Sequence, residues 1–131
     1  MAKVVNDQEF AAVSAMPGSE RYSHFLQQIA DWEEVWSLRG PDGWVLAAAD
    51  DGRPLVPVWP HARYAEACAL DGWAATSPQA IPLDRWCKAW LPGLARDGRG
   101  VAVFPLAGRA GVAVDPERLA ADLAEIMESY D

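Results

Sequence analysis

Trp59, His61 and Tyr64 stand within six residues of one another in VWPHARYAEAC, and their side chains could make a polar, aromatic recognition surface. Trp59 lies between prolines at what reads as a strand end, away from any periodic core stripe. His61 opens a helical stretch, where the positive end of the helix dipole favours the neutral imidazole. A neutral imidazole beside two aromatic rings is either a polar fixture in an apolar pocket or a surface residue capping the helix. These three residues are the candidate site, for a protein partner or for a ligand.

Nucleophilic chemistry has fewer supports. Its candidate thiols are Cys68 and Cys87, its candidate bases His24 and His61. A thiol nucleophile needs a base within about 3 Å. His61 and Cys68 are seven residues apart, roughly 10 Å along a helix by rise alone. Cys87, between Trp86 and Trp90, reads as a small hydrophobe in a core. Glu33 and Glu34 would point to opposite faces of a strand, so they make no acid–base pair. Two distant histidines and no close cysteine pair give no zinc pattern. Neither a phosphate-binding glycine loop, a dinucleotide fingerprint nor a Gly-x-Ser-x-Gly elbow occurs. No catalytic residue, metal or cofactor is therefore expected, and the chain reads as non-enzymatic.

The elements that position these residues follow from periodicity. Asn6-Asp7-Gln8-Glu9 resembles a capping box for a helix running to about Ala15. After Met16-Pro17-Gly18, Ser19 can cap a second helix whose Tyr22, Phe25, Ile29 and Trp32 recur every three to four residues. Alternation from Glu34, then Pro41-Asp42-Gly43, WVLAAA, Asp51-Gly52 and PLVPVW predict a three-stranded antiparallel meander over residues 34 to 59. Trp36 and Trp44 flank its first turn and could pair across strands. Prolines at 54, 57 and 60 match a polyproline spacing. The Leu, Val, Val and Trp between them favour a strand with an edge-like or bulged position at Pro57.

A helix from Ala62 to Leu70 closes at Asp71-Gly72. A loop passes Ser77-Pro78, and a helix from Asp84 places Leu83, Trp86, Cys87, Trp90 and Leu94 on one face, with Pro92-Gly93 kinking or breaking its end. GVAVFP and GVAV form a second hairpin. Asp115-Pro116-Glu117 starts a last helix with Leu119, Leu123, Ile126 and Tyr130 as its stripe. The fold class is α+β: a three-stranded antiparallel meander and a second hairpin packed with about five helices, one domain over residues 1–131.

Bulk properties exclude several partners. The net charge of −8, with no Lys/Arg cluster, argues against nucleic acid. Much of that charge sits in residues 115–131, six acids and Arg118, the solvated face of the last helix or a dock for a basic partner. WVLAAA and VAVF are strand-sized, far short of a membrane span. The N-terminus, MAKVVNDQEF, has one Lys and then turns acidic with no apolar h-region, so no export segment is expected and the chain reads as cytoplasmic with free thiols.

The strings RYSHFLQQIADWEEVWSL, GWVLAAADDGRPLVPVWPHARYAEAC, IPLDRWCKAWLPGLARDG and VAVFP, in this order, resemble the bacterial domain-of-unknown-function family 2750. That resemblance covers nearly the whole chain and implies a small single-domain α+β protein with no assigned activity and no site residues to carry over. DDGRPLVPVWPHARYAEA alone is similar to SseB-type domains, which implies protein–protein binding; Trp59-Pro60-His61 stands where that pattern has Phe-Thr-Ser. The expected function is binding of another protein, or of a second copy as a homodimer, through Trp59, His61 and Tyr64. The alternatives are a small-molecule binder or enzyme whose pocket adds a cysteine, and a homo-oligomer with the aromatic residues at its interface.

Overall fold

The computed structural model describes residues 4–129. Helix α1, Asp7–Ser14, begins as its capping box predicts, with the Asn6 side chain accepting from Glu9 N–H at 2.8 Å. Helix α2, Gly18–Trp32, starts one residue before the expected Ser19 cap, with Pro17 as its uncapped N-terminal neighbour. Phe25 and Ile29 are fully buried rungs of its stripe. Trp32 is not: it is 42% exposed. The chain reverses at Glu33, in the left-handed region at φ 59°, so the stripe ends at Ile29 and Trp32 stays on the outward side of the last turn.

The strands form two sheets. In the first, β1 (Glu34–Gly40) lies between the two-residue β2 (Gly43–Trp44) and β5 (Ser77–Pro82), both antiparallel to it. The second has the order β3 (Ala47–Ala48), β4 (Pro54–Val58), β6 (Gly100–Val103) and β7 (Val112–Val114). Its β4 and β6 run parallel; the other pairs are antiparallel. The expected turns at Pro41–Gly43 and Asp51–Gly52 and the second hairpin all form, within the expected α+β class. The meander itself is divided between the sheets. Val45, buried between β2 and β3, carries the chain from one sheet to the other. Trp36 and Trp59 exchange backbone hydrogen bonds of 3.0 and 2.8 Å, a bridge that ties β1 to the residue following β4. Trp36 therefore faces Trp59 across strands, while Trp44 stands edge-on to Trp90 at 4.9 Å, so the expected Trp36–Trp44 pair does not form.

Pro57 sits in β4 as its missing N–H requires. Val58 turns its carbonyl to β6, accepting from Phe104 N–H at 2.8 Å, so Pro57 faces the opposite side of the strand. There β3 has already ended at the level of Leu55, and the Pro57 carbonyl accepts from Ser37 Oγ at 2.7 Å.

Helix α3 spans Ala62–Ala67 and stops at Cys68, short of the expected Leu70; Asp71–Trp73 forms a separate 3₁₀ turn. The segments Leu83–Arg85, Trp86–Trp90 and Leu91–Arg96 run on as one helix, α4. Pro92 neither breaks nor ends it. The middle segment winds as a π turn, Leu91 N–H reaching the Trp86 carbonyl, and such a widening absorbs the proline just beyond it. Helix α5, Pro116–Glu128, buries Leu119 and Leu123. Asp115 stands at its cap position without capping it and pairs instead with Arg53 at 2.8 Å. Tyr130, expected on the same stripe, lies outside the described residues.

The tryptophans thus divide by depth, and hydroxyl-radical footprinting can read the division. Trp32 is expected to label most strongly, while Trp59 and Trp86, both at 0% exposure, stay protected. Strong labelling of Trp59 would contradict the seating of β4 described above.

Candidate functional site

The three expected site residues do not share a surface. Trp59 is 0% exposed and Tyr64 2%, so both are walls of the interior. For Trp59 the cause is β4's position inside the second sheet, which carries the residue that follows it inward. His61 is half-buried and takes the capping role: its Nδ1 accepts from Arg63 N–H at 3.0 Å, and its ring tilts against Trp36 at 6.3 Å.

Trp59 anchors a loop. Its indole Nε1 donates to the Pro105 carbonyl at 2.8 Å, and the Cys68 thiol donates to the same oxygen at 3.3 Å. One residue earlier, Phe104 has φ 58°, a left-handed conformation costing a non-glycine residue about 1–3 kcal/mol. That conformation is held on several sides. Phe104 N–H donates to Val58, its carbonyl accepts from Arg21 Nε at 3.2 Å, and its ring meets Tyr64 edge-on at 4.8 Å. Leu106 and Arg109 exchange hydrogen bonds of 3.0 and 2.9 Å to close the tip. On the way back the chain passes so near its outgoing arm that a Cβ on Gly111 would lie 2.7 Å from the Val103 carbonyl.

Arg21, 2% exposed, donates to two backbone carbonyls, of Phe104 and of Met16, and among the described residues to no carboxylate. Burial, and next the nearby Arg109 charge, hold its guanidinium below its ordinary value. The Cys68 thiol is pushed up by burial, which the neighbouring Trp59 N–H only partly offsets. A protonated thiol bonded to a carbonyl, with no imidazole on it, is a poor nucleophile.

The register of the second sheet makes its two faces unlike. Val56, Val101 and Val114 align across β4, β6 and β7, as do Val58, Val103 and Val112. All of them pack into the core. The opposite face carries the alternate residues Leu55, Pro57, Gly100, Ala102 and Ala113. Over this small-residue face lies a cavity of about 530 Å³. Leu55, Ala102 and Ala113 line its floor, Leu70 and Trp73 one wall, and the Pro105–Gly111 loop another. Exposed Asp50, Asp71 and Arg109 stand at its mouth.

A second cavity, of about 300 Å³, lies where α1, α3 and the same loop meet, lined by Phe10, Ser14, Tyr64, Leu106 and Arg109 among others. Phe10 stacks on Tyr64 at 5.4 Å, and Arg63 lies over the Phe10 ring at 4.7 Å.

The cavity floor escaped the sequence reading, although Val101-Ala102-Val103 and Val112-Ala113-Val114 display the alternation that builds it. Trp59 and Tyr64 are close to the candidate site after all, as supports of the loop and the second cavity. Among the described residues no group of three or more His, Cys, Asp or Glu is placed to hold a metal ion, and no helix is long and apolar enough to cross a membrane.

Comparison with protein families matches residues 22–123 to the family described as a protein of unknown function, DUF2750. Comparison with curated proteins returns no match.

Proposed function

The chain belongs to the DUF2750 family, and from that premise and the geometry above we propose that it is a non-enzymatic binding domain for a small, largely apolar molecule held in the larger cavity. The observation that carries this reading is the cavity of about 530 Å³ over the Leu55–Ala102–Ala113 face, within the size range of small-molecule sites. An apolar floor, a half-buried Trp73 and a few polar groups at the mouth are the composition such sites have. Binding is favoured over catalysis because burial raises the nearest thiol, Cys68, which donates to the Pro105 carbonyl and has no base beside it among the described residues. A protein-binding role would need some surface other than Trp59 and Tyr64, since both are interior.

Ala113→Phe tests the reading. Ala113 is exposed and on the cavity floor, so a phenyl ring there fills the space without disturbing the core. In a fluorescence titration with an apolar reporter dye, the native chain is expected to bind and to perturb Trp73 emission. The variant is expected to bind at least about tenfold more weakly, the loss of roughly 1.4 kcal/mol or more. Equal binding by both chains would refute the cavity as the site.

A further inference from the structure

Ser14 Oγ and Tyr64 Oη are both buried, and neither has a hydrogen-bond partner among the described residues. Leaving a buried hydroxyl unpaired costs about 1–3 kcal/mol, and this structure does so twice around one cavity. Arg109, on the same wall, is exposed and makes no ion pair among the described residues. We propose that the cavity between α1, α3 and the Pro105–Arg109 loop binds a small apolar monocarboxylic acid, its carboxylate held by Tyr64, Ser14 and Arg109. The site shares Cys68, Leu106, Ala107 and Arg109 with the lining of the larger cavity, but the inference does not rest on that cavity's function.

The donor set selects the ligand group. A guanidinium can only donate. The Tyr64 phenol, raised to about 12 first by burial and then by the Glu9 charge, keeps its proton and donates as well. Ser14 supplies a third O–H. Three donors call for a group that only accepts and has several lone pairs, which is a carboxylate. Glu9 opposes an anion here and Arg63 favours one; the two enter the Tyr64 environment with opposite sign. Arg109 adds a positive charge that no carboxylate among the described residues pairs. Phe10, Ala67, Leu106 and Ala107 leave apolar walls for the rest of the molecule, and about 300 Å³ admits a single ring or a short chain.

Isothermal titration of the full chain with benzoate, and with benzamide as the uncharged counterpart, tests this. Benzoate is expected to bind one to one and at least about tenfold more tightly than benzamide, the worth of one charge-assisted hydrogen bond. Tyr64→Phe and Ser14→Ala should each weaken benzoate about tenfold, and Arg109→Gln should bring benzoate and benzamide together. Ser14 ends a helix and Arg109 is exposed, so those two variants keep the fold even if Tyr64→Phe does not. Ala113→Phe, in the other cavity, should leave benzoate affinity unchanged. No benzoate binding, equal binding of benzamide, or affinity indifferent to Ser14→Ala and Arg109→Gln would overturn the proposal, leaving water as the partner of the two hydroxyls.

Discussion

Trp59→Ala is expected to lower the free energy of unfolding by about 4 kcal/mol, in the range of the largest single core truncations. The indole is fully buried, stands edge-on to Trp73 at 6.3 Å and spans the junction of both sheets. Removing it opens a cavity at the place where the Trp36–Trp59 backbone bridge joins β1 to the end of β4. It also takes away the Nε1 bond to Pro105, leaving Cys68 Sγ as the remaining donor to that carbonyl. The loop that walls both cavities should loosen with it, so reporter-dye affinity falls in the same variant. Trp59→Phe separates the two effects. It restores most of the volume but not the hydrogen bond, and should cost about 1–2 kcal/mol while still releasing the loop. Urea unfolding reads both, with the midpoint falling and the slope unchanged. A loss below about 1 kcal/mol for Trp59→Ala would return Trp59 to the surface and revive it as a contact residue.

That outcome bears on how much of the fold was legible beforehand. Local patterns carried well. The capping box at Asn6–Glu9, the Phe25–Ile29 stripe, the Asp51-Gly52 turn and the Val-Ala-Val hairpin are each settled by neighbours within a few residues, and each forms. What failed was settled at a distance. The loop expected through Ser77-Pro78 is instead the start of β5, an edge strand whose register is imposed by β1 some forty residues earlier. The prolines around Trp59 suggested a strand end facing out. Pairing of β4 with β6, far along the chain, puts that end inside. A proline-marked tryptophan looks the same in sequence whether its strand is edge or interior, since only the partners decide. The cavity is subtler. Its alternating alanines were in plain view, but their common face exists only after β4, β6 and β7 align. The second cavity draws Ser14 from a helix outside the matched residues 22–123, and no local signal joins Ser14 to Tyr64.

Tyr64 also supplies a consequence that needs no ligand: stability is expected to decline as pH rises above about 9. Burial raises Tyr64 from 10.0 to about 12 and Cys68 from 9.0. Tyr22 moves the same way, through burial and its 2.6 Å bond to Asp122, as does half-buried Cys87. With the folded value above the unfolded one, the unfolded chain gives up its protons first. The stabilisation is therefore complete below the ordinary values of 9.0 for thiols and 10.0 for phenols, and drains away as pH climbs through the folded ones. For Tyr64 two pH units correspond to about 3 kcal/mol when ionisation is complete. Arg21 acts with the opposite sign, because its folded value is lowered, so the bare pH profile mixes the two. Comparison of the native chain with Tyr64→Phe isolates the phenol. Urea midpoints between pH 8 and 11.5 should fall more steeply for the native chain, and the difference between the two should widen from about pH 10. Parallel profiles would mean that the Tyr64 hydroxyl meets water in the folded state. The cavity beside it would then be filled with solvent, and the carboxylate proposed there would have no orphaned donor to satisfy.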